Sequence, residues 1–264
     1  MSQDGLFGAF ALPQSGPREA FSIIRDGGAS RIEPMIYDIE LPERAFVAFT
    51  SSSDASPGTM VSLLMLRALD TIYPVRTKPL IGTYVVNARP MLGAVGSYHN
   101  CISALDFVYE GKLRAMPFAH QTTAFRGITF LGSDEEKVQR NMAGFDWKVR
   151  EILANCQSLE EKKSAFAQIR TAAVRRRTSI VSYSGPWAFP AIGQYIEELW
   201  VHAPSANNYL GELSAVNGKI CLSLHLCSDS QNVVDYFFDE LRKNEIPFEI
   251  KAVAPNDVPA FAEP

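Results

Sequence analysis

The sequence predicts an α/β fold, a two-layer sandwich in which helices pack on a mixed β-sheet. Three observations predict it. Short runs rich in β-branched and aromatic residues, such as Leu80 to Ala88 and Ile102 to Tyr109, alternate with longer amphipathic segments. Two of those segments open on Ser-x-x-Glu capping boxes, Ser133 with Glu136 and Ser158 with Glu161. Near the C-terminal end Asn217-Gly218, two positions that tolerate positive φ, separates two strand-like runs as a hairpin turn would.

Taken in order, Met1 to Ser30 holds Gly5, Gly8, Gly16, Gly27 and Gly28 with Pro13 and Pro17 and no sustained period, so it reads as irregular. Ile32 to Thr50 contains two extended pieces around Pro42, the second being Ala45 to Phe49. Ser56-Pro57 then supplies an N-cap and a proline at the first helical position. The helix that follows runs to about Tyr73, and its apolar residues Met60, Val61, Leu63, Leu64, Leu66, Leu69 and Ile72 cover nearly all faces, which demands burial on most sides. Strands are expected at Leu80 to Ala88 and Ile102 to Tyr109. Two long helices come next, the first with Val138, Met142, Phe145, Val149 and Ile152 on one stripe, the second ending in Arg175-Arg176-Arg177. Then come strands at Ser179 to Ser184 and Tyr195 to Val201, the hairpin of Tyr209 to Val216 and Lys219 to Cys227, an amphipathic helix with Val233, Val234, Phe237, Phe238 and Leu241 on one side, and a strand at Phe248 to Val253. The implied organisation is an irregular segment 1–30, a folded lobe 31–254 and a tail 255–264, without internal repeats.

A chain of 264 residues buries roughly 73% of its unfolded surface, enough for a sizeable core. With 47% hydrophobic and 20% charged residues it is neither disordered nor collagenous, and its net charge of −4 gives no general attraction to nucleic acid or anionic membrane. Cys101, Cys156, Cys221 and Cys227 form no Cys-x-x-Cys pair and read as reduced thiols, which points to the cytoplasm. The first residues lack a basic, apolar leader, and no uncharged stretch approaches the roughly 20 residues of a membrane span.

The histidines, His99, His120, His202 and His225, are the natural place to look for a general base. None lies in a catalytic motif, and Gly-x-Ser-x-Gly, the P-loop pattern and His-Glu-x-x-His are all absent, so a structural role is the better reading for each alone. Cys221, His225 and Cys227 share parity along one predicted strand, like a metal half-site. At about 3.3 Å per residue Cys221 and His225 stand about 13 Å apart, so only His225 and Cys227 could share an ion; the parity reads better as a second, partly covered sheet face, with no metal. Arg170, Arg175, Arg176 and Arg177 cluster at a helix C-terminus, where cations offset the macrodipole, and read as a solvated helix end with anion binding as the alternative.

The order of several short signatures says more than any one of them. Ser56-Pro57-Gly58-Thr59 opens the buried helix, a strand runs into Val86-Asn87-Ala88-Arg89-Pro90, a Gly-rich link leads to Tyr98-His99-Asn100, two helices follow, and Val181-Ser182-Tyr183-Ser184-Gly185 begins the second strand set. This resembles the C-terminal half of the chloramphenicol acetyltransferase-like fold, shared by condensation domains of peptide synthetases, alcohol acetyltransferases and plant BAHD acyltransferases. The resemblance runs from about Ile32 to Val253. It implies a lobe of a two-lobe enzyme that transfers an acyl group from coenzyme A or a carrier protein to an alcohol or amine. In that family the proton acceptor is a histidine of a His-His-x-x-x-Asp motif on the N-terminal lobe, and this chain has no His-His pair, so no catalytic residue is assigned.

The resemblance also marks channel or interlobe positions. Asn87 and Arg89 fit an Asn/Asp-x-Arg pattern whose arginine pairs with the motif aspartate of the other lobe; alternatively Arg89 is a strand-end arginine in solvent. His99 and Asn100 fall where relatives have Gly-Asn at the channel. Ser182 and Ser184 lie on the strand whose hydroxyls can reach the thioester or its oxyanion. The expected partner is a separate N-terminal catalytic lobe or a second copy, with acyl-CoA or acyl-carrier protein as co-substrate and no bound cofactor. The alternative function is a non-catalytic binding or assembly module that keeps the lobe's fold.

Overall fold

A computed structural model describes residues 19–27, 34–98, 101–203, 209–228 and 230–256. Among them, seven strands form one mixed sheet: β1 (Met35–Pro42), β2 (Leu80–Asn87), β3 (Ile102–Tyr109), β4 (Ser179–Pro186), β5 (Tyr209–Val216), β6 (Lys219–Leu226) and β7 (Glu249–Pro255). Their order is β3-β2-β4-β5-β6-β1-β7, with β2, β4 and β5 mutually parallel and the remaining pairs antiparallel. The helices are α1 (Ile23–Asp26), α2 (Glu43–Ser52), α3 (Pro57–Ile72), α4 (Gly111–Ala115), α5 (Phe118–Gly132), α6 (Glu135–Ala154), α7 (Leu159–Arg175) and α8 (Ser230–Lys243). The α/β class and the mixed sheet are as the sequence predicts.

The core is built on α3. Ser56 caps it, accepting from the Thr59 backbone N–H while the Thr59 hydroxyl accepts from the Ser56 N–H at 2.8 Å. Met60, Val61, Leu63, Leu64, Met65, Leu66 and Leu69 are fully buried between the sheet, α5 and α8. The helix can lie that close because Gly82 in β2 has no side chain: a Cβ there would stand 2.9 Å from Leu66 Cδ1. The β5–β6 hairpin turns through Asn217 (φ 48°) and Gly218 (φ 81°), as its dipeptide predicts.

Five local expectations are corrected. Ala45 to Phe49 is helical, within α2, because Phe46 and Thr50 fall one turn apart on its buried side; the aromatic and β-branched composition mimics a strand. The helix α6 is capped by Asp134, whose side chain accepts from the Lys137 N–H, rather than by Ser133, which closes α5. That preceding helix, α5, is not among the elements the sequence predicts; Phe125 anchors it by stacking on Phe107 at 4.0 Å. Tyr195 to Val201 does not join the sheet and holds only the end of a 3₁₀ turn, Gly193–Tyr195, followed by extended chain. Residues 19–27, expected to be irregular, include α1, and Phe21 and Ile23 enter the core. Residues 1–18 and 257–264 lie outside the described residues.

Candidate functional site

Side chains alternate across a sheet, so α3 covers one face only. On the other face a single cross-strand row runs Ala104, Val85, Ser182, Glu212, Ser223, Asp38 from β3 to β1. Four consecutive members of that row are polar. The Glu212 carboxyl, 8% exposed, hydrogen bonds to the Ser182 hydroxyl; burial pushes it up to about 7, against the opposing pull of that bond. Asp38 accepts from Ser223 Oγ at 2.6 Å and faces His202 Nε2 at 3.1 Å. Two residues along β6, His225 is 2% exposed, meets His202 edge-on at 5.3 Å between ring centroids, and has no hydrogen-bond partner among the described residues at either ring nitrogen. Burial pushes His225 down to about 4, the neighbouring His202 charge acts the same way, and Asp38 opposes both.

Part of this face is covered by residues 193–203, which cross β5, β6 and β1 as a strap. At one end Asn217 Nδ2 donates to the carbonyls of Gly193 and Ile196, each at 2.6 Å. In the middle the Ser214 hydroxyl donates to the Leu199 carbonyl, and Glu198 pairs with Lys251 at 3.1 Å and Lys219 at 3.8 Å, lysines that also reach Glu40. At the far end stands His202 on Asp38. The alternation that makes this segment read as a strand instead turns Glu198 toward lysines.

Of the predicted site residues, Asn87, Arg89, Ser182 and Ser184 fall on or beside the same face. Asn87, exposed at the end of β2, accepts from the Arg89 backbone N–H at 3.1 Å and from Arg89 Nη1 at 3.2 Å, while Arg89 Nε donates to the Ser97 carbonyl at 2.9 Å. Arg89 is half-buried and closes the turn after β2. Ser182 meets Glu212, whereas the Ser184 hydroxyl donates to the Leu213 carbonyl and accepts from Trp187 Nε1, both at 3.0 Å, so its hydrogen bonds are local. Since β2, β4 and β5 are parallel, Asn87, Arg89 and Ser184 all lie at carboxyl ends of parallel strands, the usual place for a ligand in such sheets. His99 and Asn100 lie outside the described residues, and His120 sits on the exposed side of α5.

The metal half-site does not form as its parity suggested. Cys227 lies beyond the end of β6 and packs into the apolar core, where burial pushes its thiol up to about 12. Among the described residues no group of three or more His, Cys, Asp or Glu side chains could hold a metal ion, and no helix is long and apolar enough to cross a membrane. Sequence reasoning missed Asp38, Glu212 and Ser223. Their signal is present as strict alternation, with polar Asp38 and Glu40, Glu212 and Ser214, and Ser223 and His225 set between mostly aliphatic residues.

No protein-family model and no curated protein sequence matches the chain. Among solved structures, TRI101 of F. graminearum complexed with coenzyme A and deoxynivalenol is similar at a TM-score of 0.56 and 12% identity, over 92% of this chain and 57% of that one. The nonribosomal peptide synthetase FmoA3 is similar at 0.52 and 14% identity, over 87% of this chain and 22% of that one. The chain thus spans little more than half of the first and under a quarter of the second. At these identities the likeness shows the fold alone: this chain shares its mixed sheet and packed helices with part of each of those proteins.

Proposed function

We propose that this chain is the C-terminal lobe of a thioester-dependent acyltransferase of the condensation type, and that it works with a His-His-x-x-x-Asp lobe that these 264 residues do not contain. The observation that carries this reading is the half-length match to a coenzyme A-bound structure in a chain whose four histidines include no adjacent pair. The reaction joins the acceptor's oxygen or nitrogen to the acyl carbon and breaks the carbon–sulfur bond. The acceptor's proton goes to the partner lobe's histidine and from there to the departing thiolate of coenzyme A or a carrier protein.

In this reading Arg89 pairs with the partner lobe's motif aspartate; the Asn87 and Ser97 contacts hold its guanidinium in place beforehand. Of the two channel serines, Ser182 is the better oxyanion donor. When Glu212 is protonated it can donate to the Ser182 oxygen, which leaves the Ser182 O–H to turn outward; ionised Glu212 takes that O–H for itself. His99 and Asn100 are carried as channel candidates on the resemblance alone.

The test is reconstitution. Alone, the purified chain should transfer acetyl from acetyl-CoA to simple alcohols or amines no faster than buffer. Co-expressed with a His-His-x-x-x-Asp lobe it should turn over, and Arg89→Ala should weaken assembly or activity strongly. Turnover by the chain alone that disappears with His120→Ala or His99→Ala would overturn the reading. A stable complex that binds but never turns over would favour the non-catalytic assembly module.

A further inference from the structure

The strap over the polar face is attached differently from the helices and strands around it. Its contacts run from Asn217 and Ser214 side chains to strap carbonyls, from Lys219 and Lys251 to Glu198, and from Asp38 to His202. These are side-chain bonds and ion pairs, with no backbone ladder to the sheet among the described residues, the kind of attachment that opens well below the free energy of global unfolding. Beneath it the register places three successive rows: Ser214 with Cys221 under Leu199, Glu212 with Ser223 next, and Leu210 with His225 under His202. Ser214, Cys221, Ser223 and His225 are at most 2% exposed there.

We propose that residues 193–203 lift off the sheet as a unit to bare Glu212, Ser223 and His225, and that Glu212 and His225 bias this opening with opposite dependence on pH. The inference stands on the strap's contacts and is independent of the acyltransferase reading. His225 is faced by His202 from the strap and Asp38 from β1; Glu212 is faced by the hydroxyls of Ser182 from β4 and Ser223 from β6. Glu40, Lys219, Lys251 and Glu198 belong to the ion-pair group at the other end.

The signs follow from linkage. Under the strap Glu212 titrates at about 7 against an ordinary 4.5, so it holds its proton more tightly when closed, and raising the pH through that interval favours opening. His225 titrates at about 4 against an ordinary 6.5, so it holds its proton less tightly when closed, and lowering the pH through that interval favours opening. Each effect is worth on the order of a hundredfold, and the intervals overlap. The two groups offset one another, and the wild-type opening equilibrium is nearly flat between about pH 5 and 8.

Cys221 is the reporter, because opening exposes its thiol, while Cys227 in the core reports global unfolding. In a Cys101→Ser, Cys156→Ser background, labelling by a thiol reagent is followed from about pH 5 to 8 and normalised to free cysteine. Cys221 should label well before Cys227, with a normalised rate that changes about threefold or less across the range. Glu212→Gln, which removes one of the two opposing buried groups, should make Cys221 labelling fall by some tens of fold as the pH rises; His225→Phe should make it rise by a similar factor. His225→Asn serves if the phenylalanine variant does not fold. Labelling of Cys221 at the Cys227 rate would show that the strap has no motion of its own. Flat profiles in both variants would show that Glu212 and His225 do not bias it.

Discussion

The two faces of this sheet are made from neighbouring rows one residue apart, and they differ in nearly every physical respect. The row Leu105, Tyr84, Val181, Gly211, Leu224, Tyr37 lies on the α3 side and is built of aliphatic and aromatic residues and a glycine. The adjacent row Ala104, Val85, Ser182, Glu212, Ser223, Asp38 lies on the opposite face and is polar over four strands. The first face is stabilised by area removed from water, without regard to direction. The second holds its buried polar atoms only by meeting each with a partner, and where it does not, at His225, a buried group has no hydrogen-bond partner among the described residues. A face built the first way specifies a fold; a face built the second way holds protons and can open.

The largest expected effect tests the apolar side. Leu224 is fully buried on the α3 side, so Leu224→Ala should lower the unfolding free energy by about 2 to 5 kcal/mol, read from the urea midpoint. Its neighbour in β6 tests the polar side. Ser223→Ala removes the hydroxyl that donates to Asp38 and should cost about 1 to 3 kcal/mol, with His202 left as a remaining partner of that carboxylate. A larger loss at Ser223 than at Leu224 would mean that the polar face is as tightly integrated as the core and that the contrast drawn above is wrong.

The same contrast explains what the sequence discloses. The apolar face is legible because its signals are local: Ser56-Pro57 starts α3, the leucines of β6 alternate, and Asn217-Gly218 turns the hairpin. The polar row is not, because its members meet only through strand order. Asp38 and Ser223 hydrogen bond across 185 positions, and nothing in either strand alone says that β1 inserts between β6 and β7. The helix α5 escapes for a different reason: Thr122, Thr123, Gly127, Ile128 and Thr129 are weak helix formers, and packing of Phe125 against Phe107 overrides them. At Tyr195 to Val201 alternating residues read as a strand, although Ile196, Glu198 and Leu199 are held by side chains of the β5–β6 hairpin and β7.

The smallest expected effect sits where the two faces meet the open end of the sheet, at Arg89. The sequence offers two readings for it, an interlobe partner or a strand-end arginine in solvent, and the structure adds a local role, in which its guanidinium joins Asn87 to the Ser97 carbonyl and closes the turn after β2. A half-exposed, charge-assisted bond of this kind contributes modestly, so Arg89→Ala in the isolated chain should cost about 0.5 to 1 kcal/mol in a thermal melt. Arg89→Lys should recover little of it, because an ammonium cannot span two acceptors as the planar fork does. If Arg89 also serves the other lobe, the alanine change should cost several times more in a reconstituted complex than alone, since it would strand a buried carboxylate without its partner. Equal costs in both settings would confine Arg89 to the turn it closes.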